Sequence, residues 1–263
     1  YSIYITAATG QLNLGGAGFQ AIGAYACALL SNELGLPIYL TLVFSAILGG
    51  AISFLIAFPV LRTKGVYMVL ATFAIAEIVA GIILNTDYLG GPTGMIVNAY
   101  IETEVVLVVA VIIVILGFYL MSTRIGLAMR AVHDDEAVAD LMGVDKRAIQ
   151  VGAFTIGGAI AGLSGGLYAL YFGFIEAQYF NANISIFVLL YVLIGGTQTA
   201  WGPLVGASFF TLIPEALRIG DDWRFFIFGV IIVIMMIFRP EGIVTRDALE
   251  RVWRQLFSGK RNV

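Results

Sequence analysis

Charge, histidine and cysteine are all scarce in this 263-residue chain: 12% of residues are charged, one is histidine and one is cysteine. An ordinary soluble domain carries about 25% charged residues, so a water-soluble enzyme is excluded. The lone Cys27 makes neither an internal disulfide nor a cysteine-rich metal site. The lone His133, beside Asp134 and Asp135, supports neither a metal cluster nor a Ser-His-Asp or Cys-His constellation. No catalytic residue, metal site or cofactor is therefore expected. Lysine occurs only at Lys64, Lys146 and Lys260, and none lies in the Gly-x-x-x-x-Gly-Lys-Ser/Thr loop that cradles nucleotide phosphates. Any ATP chemistry would need another chain. Only six prolines are present, which excludes a proline-rich coil. The net charge of −3 and a pI near 5.1 give no electrostatic footprint for nucleic acid.

What the chain has in abundance is apolar surface. Hydrophobic residues make up 60% of it and mean hydropathy is +0.97. These values define a polytopic α-helical membrane protein. The expected fold is all-α: a transmembrane helical bundle of about eight or more spans in the lipid bilayer, forming a single domain over 1–263. A span needs about 20 mostly apolar residues. Candidate segments are a partial one at 1–12, then 13–30, 38–61, 65–85, 103–121, 150–174, 184–196, 203–217 and 224–239. The chain begins at Tyr1 without Met, so its true start, and a further span, are expected upstream. The short pair 184–196 and 203–217 flanks a Gly-rich break from Gly195 and Gly196 to Gly202 and Pro203. Such interrupted spans often line a transporter cavity.

Orientation follows the positive-inside rule. With 122–149 cytoplasmic, twelve basic residues (Arg62, Lys64, Arg124, Arg130, Lys146, Arg147, Arg239, Arg246, Arg251, Arg254, Lys260, Arg261) lie inside, and only Arg218 and Arg224 lie outside. The tail 244–263 is then cytoplasmic. Its Leu249, Val252, Trp253, Leu256 and Phe257 share one helical face. Both an interfacial helix on the bilayer and a solvated basic tail fit that pattern.

The loop 122–149 contains a short helix with good ends. Asp134 is expected to cap it, Asp135 and Glu136 to occupy its first turn, and Gly143 to stop it. Val138, Leu141 and Met142 fall on one face, and Asp145 caps the helix that follows. A helix this short is marginal in water. Packing on the protein's own membrane face and docking into a partner's groove both remain open on these residues alone.

Further motifs concern packing. Gly158, Gly162 and Gly166 repeat at every fourth position, as do Ala161, Gly165 and Ala169. This spacing lets membrane helices approach closely. Gly16-Ala17-Gly18-Phe19-Gln20-Ala21 matches G-x-G-x-x-G/A, but no strand pattern precedes it, so it is a chance match better explained by a pore-lining or broken helix. Glu77 is the one carboxylate well inside a span, which makes it a pathway candidate or a structural hydrogen-bond acceptor. The polar stretch 85–94 fits a gate, a docking loop or a connector.

Five strings in order carry a family resemblance: Thr9-Gly10-Gln11-Leu12-Asn13-Leu14-Gly15 into Ile22-Gly23-Ala24-Tyr25; Leu61-Arg62-Thr63-Lys64-Gly65 with the Glu77 segment; Arg124-Ile125-Gly126-Leu127 through Met142-Gly143; Gly195-Gly196 with Trp201-Gly202-Pro203; and Phe238-Arg239-Pro240-Glu241-Gly242. The chain resembles the permease subunits of bacterial branched-chain amino-acid ABC importers, in particular the type whose N-terminal motif reads Gly-Gln-Leu-Ser-Leu-Gly. The resemblance implies alternating access in the bacterial cytoplasmic (inner) membrane. It also implies a second homologous permease subunit, two cytoplasmic ATP-binding subunits and an extracytoplasmic substrate-binding protein. Under it, Asp134, Asp135, Glu136, Ala137, Leu141, Met142 and Gly143 form the coupling helix to the ATPase. Glu77, Gly16, Ala17, Gly18, Gly195 and Gly196 are the pathway candidates. The importer loop motif Glu-Ala-Ala-x-x-x-Gly is not matched fully: Val138 stands for the second Ala, and the glycine is at 143 rather than 142. A stand-alone secondary transporter or channel, and a permease for urea or short amides, are the alternatives.

Overall fold

Long apolar runs without internal charge form helices that satisfy their own backbone, the requirement lipid imposes. The computed structural model describes residues 1–216 together with 229–230, 233, 237–238 and 242–245. Among these the α-helices are α1 (Ser2–Ala7), α2 (Gly16–Leu34), α3 (Ile38–Val60), α4 (Val66–Leu84), α5 (Thr103–Ser122), α6 (Arg124–Asp134), α7 (Glu136–Leu141), α8 (Lys146–Phe172), α9 (Ala182–Gly195) and α10 (Gly202–Ala216). Two short strands, β1 (Met95–Ile96) and β2 (Phe174–Ile175), pair antiparallel with Met95 opposite Ile175.

Among the described residues, five segments are long and apolar enough to cross a membrane: Ile38–Val60, Val66–Leu84, Thr103–Ser122, Lys146–Phe172 and Ala177–Gly195. The expected eight or more spans are therefore not reached among the described residues. Segment 1–12 forms α1, which ends at Ala7, and the chain then turns at Gly10, at φ +79°. Segment 203–217 forms α10, described from Gly202 to Ala216. The segment 224–239 lies largely, and the tail helix with Leu249 to Phe257 entirely, outside the described residues. Helix α2 has 19 residues, enough to reach across, but Gln20, Ser31, Asn32 and Glu33 make it less apolar. Its Ala21, Ala24, Cys27 and Ala28 are fully buried against protein.

The chain divides into two compact units, 1–187 and 188–263. In the first, α8 packs against both α2 and α3. Its small residues meet both neighbours, and Gly162 touches each of them. A Cβ on Gly162 would lie 2.4 Å from the Ser45 carbonyl oxygen, and one on Gly158 would lie 2.2 Å from Ser53 Cβ, both on α3. A Cβ on Gly165 would lie 1.9 Å from the Gln20 carbonyl oxygen of α2, and one on Gly23 would lie 2.0 Å from that of Gly162. Ser53 Oγ donates to the Phe154 carbonyl at 2.6 Å across the same seam. Lipid tails offer no hydrophobic force between helices, so this close approach and its dispersion contacts supply the cohesion.

At the other end of these helices, Asn32 ties α2 to the chain after α4. Its Nδ2 donates to the Ile96 carbonyl at 2.7 Å, and its Oδ1 accepts from Asn98 N–H at 2.9 Å. The Tyr88 hydroxyl donates to the Glu33 carboxylate, which pushes the phenol pKa up. The polar stretch 85–94 is thus a folded cap built of turns at Asp87–Leu89 and Gly91–Thr93.

In the second unit, glycines again mark backbone contact. A Cβ on Gly195 would lie 1.9 Å from the Gly202 carbonyl oxygen, and one on Gly206 would lie 1.9 Å from that of Tyr191. Ile243 and Val244 N–H donate to the Ile194 and Gly195 carbonyls at 2.8 and 3.1 Å.

Overpacking a tight seam costs about 1–3 kcal/mol and occasionally more. Gly23→Leu or Gly162→Leu is expected to abolish the monodisperse peak in fluorescence-detected size-exclusion chromatography. Gly81→Ala, where an added Cβ meets nothing within 4 Å, should leave that peak intact.

Candidate functional site

Two places concentrate unusual chemistry in the first unit. One is the irregular stretch between α1 and α2, which leaves backbone N–H groups without helical partners. Asn13 Oδ1 accepts from Gly15 N–H at 2.7 Å, Thr72 Oγ1 of α4 accepts from Leu14 N–H at 3.0 Å, and Ser185 Oγ of α9 accepts from Ala17 N–H at 2.8 Å. Asn13, Thr72 and Ser185 are buried. Irregular backbone in an apolar bundle is thus satisfied by three polar side chains.

Gly16, Ala17 and Gly18 open α2 beside this break and are themselves buried. A Cβ on Gly18 would lie 2.9 Å from Ala76 Cα, so α4 presses directly on this turn. No strand precedes the glycines, in keeping with a broken helix rather than a dinucleotide site. One residue beyond Ala76, the Glu77 carboxylate accepts from Ala182 N–H at 3.3 Å, at the first residue of α9. A helix N-terminus favours negative charge, so Glu77 helps set where α9 begins. Gly16, Ala17, Gly18 and Glu77 therefore converge with α9. Gly195 and Gly196 lie in the second unit, where a Cβ on Gly242 would meet Gly196 Cα at 2.5 Å.

The second place is the α6–α7 segment. Asp134 does not cap the short helix; it is the last residue of α6. Asp135 is the cap, its Oδ1 accepting from Ala137 and Val138 N–H at 2.8 and 3.1 Å. The cause is α6 itself, an amphipathic helix the sequence reading did not resolve, which carries the chain one residue further before it turns. Gly126, Met129 and Val132 of α6 are buried, and Arg130 Nη2 donates to the Met121 carbonyl at the end of α5 at 3.0 Å.

Helix α7 is only six residues long. Its polar side is tied to the rest of the chain. Glu136 accepts from Lys64 Nζ at 3.4 Å and from Gln150 Nε2 at 3.2 Å, and Asp140 pairs with Lys146 at 3.7 Å. Ala139 is 3% exposed. Gly143, at φ +82°, ends the helix, and its N–H donates to the Asp140 carbonyl at 3.0 Å. Asp145 Oδ1 then caps α8, accepting from Arg147 and Ala148 N–H, each at 3.0 Å. The apolar side faces outward: Val138 is 54%, Leu141 86% and Met142 80% exposed. Charged Asp140 is exposed beside them, so this short helix shows water an apolar patch next to its charges.

Several helices apolar enough to cross a membrane, an irregular break held by buried polar side chains, and an outward apolar patch on a surface loop are the features that the chain brings to a comparison with known proteins. Residues 1–238 match the family described as branched-chain amino acid transport system / permease component, and the chain belongs to that family. It is 31% identical over 280 residues to the high-affinity branched-chain amino acid transport system permease protein LivM of Escherichia coli (strain K12), covering 92% of this chain and 66% of that protein. It is 26% identical over 282 residues to the probable branched-chain amino acid transport permease protein LivH of Methanocaldococcus jannaschii, covering 96% and 87%. It is also 31% identical over 153 residues to the autoinducer 2 import system permease protein LsrC of Photorhabdus laumondii, covering 55% and 45%. The chain thus spans just under two thirds of the Escherichia coli LivM. No solved structure matches it.

Losing an N-cap costs about 1 kcal/mol. Asp135→Ala is expected to speed amide exchange at Ala137 and Val138 about fivefold by hydrogen–deuterium exchange, with α8 unchanged. Removing the Glu77 acceptor should cost roughly 0.6–1.7 kcal/mol, the range for membrane hydrogen bonds. Glu77→Leu should therefore lower the thermal midpoint read by tryptophan fluorescence, while Glu77→Gln, which keeps a carbonyl oxygen, should preserve it.

Proposed function

We propose that the chain is a permease subunit of an ATP-driven ABC importer that moves branched-chain amino acids inward across the cytoplasmic membrane by alternating access. The observation that carries this reading is the outward apolar face of α7, formed by Val138, Leu141 and Met142. Asp135, Glu136 and Gly143 fix that helix at both ends. A six-residue helix exposing Leu and Met to water favours a partner surface.

In this reading Asp134, Asp135, Glu136, Ala137, Leu141, Met142 and Gly143 belong to the coupling segment that enters a groove of a cytoplasmic ATP-binding subunit. The Lys64–Glu136 and Lys146–Asp140 pairs pass its displacement to the α3–α4 turn and to α8. The break between α1 and α2, with Gly16, Ala17, Gly18 and Glu77, and the Gly195–Gly196 turn are pathway elements. A second homologous permease, two ATP-binding subunits and an extracytoplasmic binding protein complete the complex. The positive-inside count supports cytoplasmic placement of 122–149 and of the C-terminus.

Branched-chain amino acids are favoured over other solutes because the relatives named for them align over 92% and 96% of the chain. The autoinducer 2 import relative aligns over only 55%.

Truncating a buried anchor at an interface costs about 2 kcal/mol or more. Leu141→Asp with Met142→Asp is expected to lower ATPase co-purification at least tenfold while membrane insertion stays normal. Unchanged association would overturn the coupling assignment. Leucine uptake by this chain alone, in liposomes without ATP, would overturn the importer reading.

A further inference from the structure

Two cavities of the first unit share one residue, Arg147. The first, about 380 Å³, lies among the α3–α4 turn, α7 and the start of α8. Arg62, Lys64, Lys146 and Arg147 line it against the single carboxylate of Glu136. Glu136 is held by Lys64, and Lys146 pairs with Asp140 outside the cavity. Among the described residues, Arg62 and Arg147 have no ion-pair partner. Lys146 and Arg147 are also the first two residues of α8, at the positive end of its dipole, where cations are disfavoured. An anion in the cavity would relieve both strains. Gln11, 4% exposed, lines the same space, and its Oε1 has no hydrogen-bond partner. That oxygen calls for a donor such as a hydroxyl.

The second cavity, about 590 Å³, is an open apolar groove between α3 and α8. Phe54, Phe58, Val151 and Ile156 line it together with Arg147 and with Asp145, whose Oδ1 is engaged by the Arg147 and Ala148 N–H groups. Phe54 and Phe58 pack edge to face with ring centroids 5.0 Å apart. The groove runs along two helices that are apolar enough to cross a bilayer, from the end that bears the basic cavity. An anionic head and an apolar tail joined at Arg147 is the chemistry these two spaces ask for together.

We infer that the paired cavities hold one anionic phospholipid of the leaflet at the basic end of the bundle, its phosphate and headgroup hydroxyls among Arg62, Arg147 and Gln11, and an acyl chain along Phe54, Phe58 and Val151. Phosphatidylglycerol fits best, because its phosphate matches the cations and its glycerol supplies donors for Gln11 Oε1. Basic pockets between membrane helices are suited to such headgroups. The assignment needs only that this end of the bundle lies at headgroup depth, and it is independent of the solute carried. The bound lipid would touch both α8 and the cavity wall formed by Glu136, and so steady the attachment of α7.

The test titrates phosphatidylglycerol onto the detergent-purified permease complex and counts adducts by native mass spectrometry, with phosphatidylcholine as comparison. Each surface cation contributes about 1 kcal/mol toward an anionic lipid. Arg62→Gln with Arg147→Gln should therefore weaken phosphatidylglycerol binding about 30-fold and leave phosphatidylcholine unaffected. An added Cβ at Gly152, also on the groove, meets nothing within 4 Å. Gly152→Leu should fill the groove and weaken the lipid about tenfold; Thr155→Phe serves if that variant does not fold. Equal binding of the two lipids by the unmodified complex would overturn the inference. So would displacement by glycerol 3-phosphate with no effect of Gly152→Leu, which would mean a soluble anion. Failure of folded Gly152→Leu to assemble with a second permease subunit, with adducts unchanged, would also overturn it by making the groove a subunit interface.

Discussion

The close approach of α8 to α2 and α3 is the constraint on which the rest depends. Inside a bilayer no water drives helices together, so backbones must come near enough for dispersion and short hydrogen bonds to hold them. Gly158 and Gly162 on one register and Gly165 on the other let two neighbours reach the same helix. The start of helix α2 is then buried and can begin from an irregular stretch. Thr72 and Ser185 can serve Leu14 and Ala17 only because α4 and the start of α9 lie against that stretch.

The same helix links the membrane interior to the surface segment. Asp145 caps α8 at its first turn, and Lys146 and Gln150 of that turn bind Asp140 and Glu136 of α7. The short helix therefore hangs from α8 by its polar side and from the α3–α4 turn by Lys64. A push on Leu141 or Met142 would reach two membrane helices through charged pairs rather than through the flexible backbone alone. Exposed pairs are weak individually, so a brace of several is better suited to transmit a displacement than any one.

Much of this was legible in the residues. The four-residue spacing of small side chains announced a tight seam, and the apolar runs gave α3, α4, α5, α8 and α9 to within a few positions. Asp145 and Gly143 were readable as a cap and a stop because their chemistry is local. The choice between Asp134 and Asp135 was not. Adjacent aspartates have equal capping propensity, and the choice is made by how far α6 runs. That length depends on Gly126, Met129 and Val132 burying against other elements. Likewise, Glu77 could be singled out as an expensive charge, but its partner, Ala182, lies 105 residues away. Thr72 and Ser185 gave a faint signal as hydroxyls inside apolar runs, a signal shared by many residues with no such role.

The outward Leu141 and Met142 carry a consequence for any copy of the chain on which nothing covers them. A copy made in excess would display an adhesive knob to the aqueous phase and would tend to cluster with other copies or attract proteolysis. Two side chains would then limit how much of the chain can accumulate uncovered.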